Sequence, residues 1–281
     1  MEWLFHSRPV VEAGHAVSAE TAPVVVIKIG GSVFTDLDAY RRCAAHLKRR
    51  VDQSPHETFV VVVSAQFGTT DRLEALARQL CSRPDELTRD LLWSTGELQS
   101  VAVLTLCLHA LGVPAVGLSV HECGMRAPRE DETADHVVVE GSALRSRIAG
   151  VRVAVVPGFL ARGPSDRIVS LGRGGSDLTA VLLTVGLGAV RCELIKDVPG
   201  YCDKDPNRFA DAVPLDRITY DQALDMARDG CDLVQVRAIE AVARHRTPVI
   251  VRGLNDEGHR TLLTAADASP ARGLQSPAAV A

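Results

Sequence analysis

Lys28 interrupts the apolar run Val24–Ile29, and Gly30-Gly31-Ser32 follows at once. A lysine inside such a run is costly to bury without an anion. Glycines let backbone amides close on an anion, and a helix N-terminus adds partial positive charge. Two more glycine-bearing turns share this setting: Ser64–Thr70 after Phe59–Val63, and Gly172–Asp177 after Ile168–Leu171. One such turn reads as a plain tight turn. Three in one chain point to a polyphosphate, with Lys28 as a phosphate ligand rather than an edge lysine whose head reaches water. None fits G-x-x-x-x-G-K-[ST] and none is a clean G-x-G-x-x-G, so neither a Walker-A ATPase nor a dinucleotide fold follows.

The elements that hold these turns can be read from hydropathy. Val24–Ile29, Phe59–Val63, Gly112–Leu118, Val151–Val156, Ile168–Leu171, Ala189–Ile195 and Pro248–Arg252 read as strands. Apolar spacing predicts helices over 37–51, 71–80, 85–111, 178–185, 219–228 and 237–244. Strands alternate with helices, so the expected architecture is α/β, a sheet covered on both faces. Residues 1–22 read as an extension, and 265–281, rich in Ala, Pro and Gly, as a disordered tail.

Composition narrows the class. The chain has 281 residues, 46% hydrophobic and 23% charged, enough for a sizeable core without disulfide or metal staples. A net charge of −4 argues against nucleic acid or an anionic membrane as a partner held by bulk charge. The seven cysteines form no C-x-x-C pair, which reads as free thiols in a reducing, cytoplasmic setting. The first residues lack a basic and then apolar leader, and no apolar run approaches a membrane span, so neither export nor membrane insertion is expected.

The motifs, taken together, resemble the amino-acid kinase family, and within it the catalytic domain of aspartokinases. They are Lys28-Ile29-Gly30-Gly31-Ser32, Ser64 through Asp71, Ser94-Thr95-Gly96-Glu97, Pro157-Gly158-Phe159, Leu171 through Ala180, Lys196 through Gly200 with Asp205-Pro206, and Arg237-Ala238-Ile239-Glu240 before Pro248–Arg252. They run in family order over about residues 24–264. The resemblance implies an αβα sandwich of the amino-acid kinase type, two lobes around a mainly parallel sheet. Residues 24–165 would hold the acceptor and 166–264 the nucleotide, with 1–23 and 265–281 outside. It also implies ATP-dependent phosphorylation of the aspartate side-chain carboxylate with Mg²⁺, by a homodimer. The alternatives are a kinase for another small carboxylate or phosphate, or a degenerate kinase-like subunit that only binds.

The same resemblance assigns residues. Lys28 would neutralise the transferring phosphate and Asp177 would orient Lys28. Amides of Gly30, Gly31 and Gly175 would hold the group in flight. Arg173 would clamp the α-carboxylate of the amino acid and Glu97 would read its ammonium, with Ser64, Thr70, Phe159 and Ser176 around them. Ser32, Lys196, Asp197, Gly200, Tyr201, Asp205 and Pro206 would serve the nucleotide. No protein metal ligand is assigned. The departures gather on the nucleotide side: no Thr between Gly31 and Ser32, Cys202 where an aromatic is usual, Asp232 where a lysine is usual, and Lys196 where many members have Thr. Aspartokinases normally continue into regulatory ligand-binding domains. With so little chain outside the kinase pattern, insensitivity to lysine and threonine is expected.

Overall fold

The computed structural model describes residues 22–127, 137–172, 174–204, 208–254 and 258–266. Arg173, Asp205, Pro206, nearly all of the expected extension and the expected tail from 267 on lie outside the described residues. The chain begins β1 (Val24–Ile29), α1 (Leu37–Gln53), β2 (Thr58–Val63), α2 (Thr69–Leu80), α3 (Glu86–Ala110) and β3 (Ala115–Gly117). It continues through β4 (Met125–Arg126), β5 (Val138–Val139), α4 (Gly141–Ile148), β6 (Val153–Pro157), β7 (Leu160–Arg162) and β8 (Ile168–Ser170). The last part is α5 (Gly175–Gly186), β9 (Arg191–Lys196), β10 (Arg217–Thr219), α6 (Tyr220–Arg228), α7 (Val236–His245), β11 (Val249–Gly253) and β12 (Arg260–Thr264).

Eight strands form one sheet in the order β10-β12-β11-β9-β1-β2-β6-β3, in which only the β11–β12 pair is antiparallel. Parallel strands buried on both faces need continuous apolar runs, and β1 and β2 supply them with every residue buried. Val25, Ile27 and Ile29 join Leu47, Leu104 and Leu108 in the core beneath α1 and α3. Val24 and Val26 face the other way, onto Leu178, Val181 and Ile239 of α5 and α7. By the two-residue alternation, Lys28 belongs to this second face, at the carboxyl end of β1. The chain leaves β1 toward β2 and later returns to add β9 on the opposite side. That reversal opens a crevice at the carboxyl ends of β1 and β9, the place where open α/β sheets bind ligands.

Several expectations need correction. Helix α5 starts at Gly175, three residues before the apolar spacing begins, because its first turn carries Ser176 and Asp177. A second sheet, β5-β4-β7-β8, was not expected; its strands have only two or three residues, too short to show periodicity, and of the four only β8 was read, as Ile168–Leu171. Helix α4 and the strands β10 and β12 were likewise not expected. By length and composition, α3 is apolar enough to cross a membrane: interspersed Ser, Thr and Gly break the apolar run, yet its most apolar 18-residue stretch still has a mean hydropathy of 1.3. It packs on α1, α2 and β6, and half of its most apolar stretch is buried inside the fold.

Candidate active site

Three charges define the floor of the crevice. Lys28 is the penultimate residue of β1 and Lys196 ends the neighbouring β9, while Asp177 lies in the first turn of α5. Lys28 Nζ is 2.7 Å from Asp177 Oδ1, and Lys196 Nζ donates to Oδ2 at 2.8 Å. All three are nearly enclosed, at 7%, 8% and 2% exposure. Burial alone would favour the neutral acid at Asp177, but the charges of Lys196 and Lys28 hold it well below the usual carboxylate range. The helix N-terminus adds to this. Burial brings the Lys196 ammonium down to about 8, against the pull of Asp177 and with the help of Lys28. One carboxylate between two lysines leaves an excess of positive charge, which suits a polyanion.

The cleft above has a volume of about 340 Å³, within the usual range for small-molecule sites. Lys28, Gly31, Ser32, Ser64, Thr70, Glu97, Phe159, Ser176, Asp177 and Lys196 all line it. Glu97 is 1% exposed and accepts the Ala65 amide at 3.1 Å. Burial pushes its carboxyl up to about 8, with the Ala65 hydrogen bond opposing. Ser64 Oγ donates to Ser176 Oγ at 3.1 Å, joining the β2 loop to α5. Gly158 permits this approach, since a Cβ there would stand 2.5 Å from Ser176 Oγ. Phe159 adopts a φ of 47° and donates its amide to Thr179 Oγ1, which fixes its ring at the cleft.

Other expected residues lie elsewhere. The Gly30 amide donates to Ile195 O and the Gly175 amide to Gly172 O, so both already have a partner within the fold. A Cβ at Gly175 would meet Phe159 Cβ at 2.9 Å, so close packing explains that glycine. Tyr201 is 1% exposed in the core and does not line the cleft. Its amide donates to Thr261 Oγ1, and Gly200 lets the loop approach the same residue. Asp197 is exposed and stands outside the cleft lining.

The sequence reading passed over Trp93 and Gln235, which also line the cleft. Trp93 precedes Glu97 by one helical turn, a spacing that could have flagged it. Gln235 carries no such signal. It reaches the cleft by packing against Gly174, where a Cβ would stand 2.3 Å from Gln235 Cγ. Asp232 also lines the cleft, facing the same space as Lys196.

The pattern of the amino acid kinase family matches residues 23–253, and the chain belongs to that family. Within it the chain is similar to an aspartokinase of Thermus thermophilus, at 37% identity over 229 residues, 82% of this chain and 56% of that protein. Its fold is similar to the aspartate kinase from Synechocystis, with a TM-score of 0.76 and 32% identity over 86% of this chain and 40% of that one. It is also similar to E. coli aspartokinase III, solved with aspartate and ADP in the R-state, with a TM-score of 0.70 and 25% identity over 87% of this chain and 65% of that one. The chain thus spans less than two thirds of the length of each of these relatives.

Proposed function

We propose that the chain transfers the γ-phosphoryl group of ATP to the side-chain carboxylate of L-aspartate, giving β-aspartyl phosphate. The observation that carries this is the Lys28–Asp177–Lys196 cluster at the floor of a cleft whose wall holds the enclosed Glu97. An ordinary carboxylate acceptor is already ionised at neutral pH, so no general base is needed. The barrier is the approach of one anion to another, and positioning with charge neutralisation lowers it. Lys28 and Lys196 supply that charge, and Asp177 holds both ammonium groups in place. The acceptor oxygen forms the new O–P bond as the bridging P–O bond to the β-phosphate breaks, and ADP leaves with the electron pair.

Among the described residues no group of three or more His, Cys, Asp or Glu could hold a metal ion. The carboxylate at the floor is already paired with lysines. A Mg²⁺ would be held chiefly by the nucleotide's own phosphate groups and would supply further charge neutralisation there. On the acceptor side, Glu97 takes the α-ammonium, with Ser64, Thr70, Phe159 and Ser176 around it. Arg173 is proposed as the clamp on the α-carboxylate; its neighbour Gly174 lines the cleft. Residues 24–165 form the acceptor lobe and 166–264 the nucleotide lobe; Gly31 and Ser32 of the first and Lys196 of the second face the phosphates. Seven free cysteines support a cytoplasmic setting. The homodimer is supported by an uncharged exposed stripe on α3 that includes Leu91, Thr95, Gln99, Ala102 and Leu106.

Comparison of aspartate with succinate tests the acceptor assignment. Succinate lacks the ammonium and leaves Glu97 unpaired, so its kcat/KM should fall well below that of aspartate. Equal use of both would remove Glu97 from this role.

A further inference from the structure

Trp93 and Glu97 stand one turn apart on α3, so their side chains share a face. Both line the cleft, at 6% and 1% exposure. Each carries a polar atom shut off from solvent that meets no hydrogen-bond partner among the described residues: indole Nε1–H on Trp93 and Oε2 on Glu97. An indole nitrogen can only donate, and a buried one ordinarily finds an acceptor. The ring itself is well held. The Arg89 guanidinium lies 4.7 Å over it, and the Phe159 ring is 6.2 Å away at 57°. Val120, Phe159 and Leu160 form the apolar cluster around it. That cluster accounts for a large aromatic ring here but not for its nitrogen, which phenylalanine would lack.

We infer that Trp93 is a specificity-determining residue of the acceptor pocket: its indole N–H donates to an oxygen of the acceptor amino acid, while Glu97 takes the ammonium beside it. The inference rests on the acceptor assignment above and deepens it. A donor and an acceptor one helical turn apart match a small α-amino acid, whose carboxylate and ammonium share one carbon. A carboxylate accepts about four hydrogen bonds, so Trp93 and Arg173 can serve the same group. Because Nε1 is shut off from solvent in the ligand-free structure, the acceptor must reach it by a small shift of the ring or of the groups that cover it.

The chain has two tryptophans, Trp3 and Trp93, so Trp3→Phe leaves a single fluorescent reporter. Aspartate added to that variant without nucleotide should shift the emission saturably, with the Kd that calorimetry gives for the wild type. Trp93→Phe should raise the KM for aspartate roughly tenfold to a hundredfold, the range for a lost hydrogen bond to a charged group, and leave the KM for ATP within about twofold. Trp93→His, which restores a ring N–H, should recover part of the loss. The emission test needs no change at position 93, so it stands even where Trp93→Phe fails to fold. The inference is overturned if the wild type binds aspartate while the emission stays silent, or if folded Trp93→Phe keeps its KM; the acceptor assignment then survives. If the wild type neither binds nor phosphorylates aspartate, the acceptor assignment fails and the inference falls with it.

Discussion

Raising the pH from 6 to 8 should tighten aspartate binding, because Glu97 must lose a proton before it can accept from an ammonium. Burial holds its carboxyl at about 8 in the ligand-free protein. The ionised fraction is then about 1% at pH 6, about 9% at pH 7 and about half at pH 8. Apparent affinity scales with the competent fraction, so the Kd should fall about fiftyfold across this range, or about 2.3 kcal/mol. Binding at pH 7 should release about 0.9 proton per site. Calorimetry in two buffers of different ionisation enthalpy reads that release directly. Glu97→Gln should bind aspartate weakly at every pH and release no proton from this site. A pH-independent Kd with no proton release in the wild type would refute the reasoning. The same shift has a consequence for stability. A raised folded pKa gives stability that is complete below the ordinary value of 4.5 and is lost as pH rises through about 8. Ligand-free Glu97→Gln should therefore gain on the wild type above pH 8, as read by urea midpoints.

Asp177→Asn leaves Lys28 and Lys196 enclosed without their counter-charge; unfolding should show a loss of about 3–5 kcal/mol, and turnover of any folded fraction should drop by orders of magnitude. Lys28→Ala should likewise abolish turnover, with thermal melts confirming the fold; near-wild-type turnover would remove Lys28 from the chemistry. Lys196→Met should weaken ATP binding more than aspartate binding, and equal effects on both would move Lys196 out of the nucleotide side. Glu193, 2% exposed and paired bidentately with Arg50 and also with Arg191, should matter to stability alone. Glu193→Gln should cost about 3–5 kcal/mol in urea unfolding while the folded enzyme keeps its KM values.

The long parallel strands were legible in the sequence because burial on both faces writes them as unbroken apolar runs, as at Val24–Ile29 and Thr58–Val63. Lys28 was legible for the same reason, as the one charge in such a run. Glycine was harder to read. Gly30 and Gly175 looked like amide donors, yet their amides bond within the fold, and Gly175 is small because Phe159 needs the space. Tyr201 looked like a nucleotide contact from its place in the motif, but its neighbour Gly200 turns the loop against Thr261 and the ring enters the core. The Lys196–Asp177 pair joins residues 19 positions apart and depends on which strands become neighbours, which local pattern does not encode. Gln235 reaches the cleft only through its packing on Gly174, so its residue type gave no hint.

Hydroxylamine trapping tests the central claim most directly, since an acyl phosphate is converted to a stable hydroxamate. The purified chain with ATP, Mg²⁺ and hydroxylamine should form aspartyl hydroxamate in an ATP-dependent manner, with glutamate and succinate giving far less, and folded Lys28→Ala giving none. Folded, nucleotide-binding protein that yields no hydroxamate with aspartate would contradict the account.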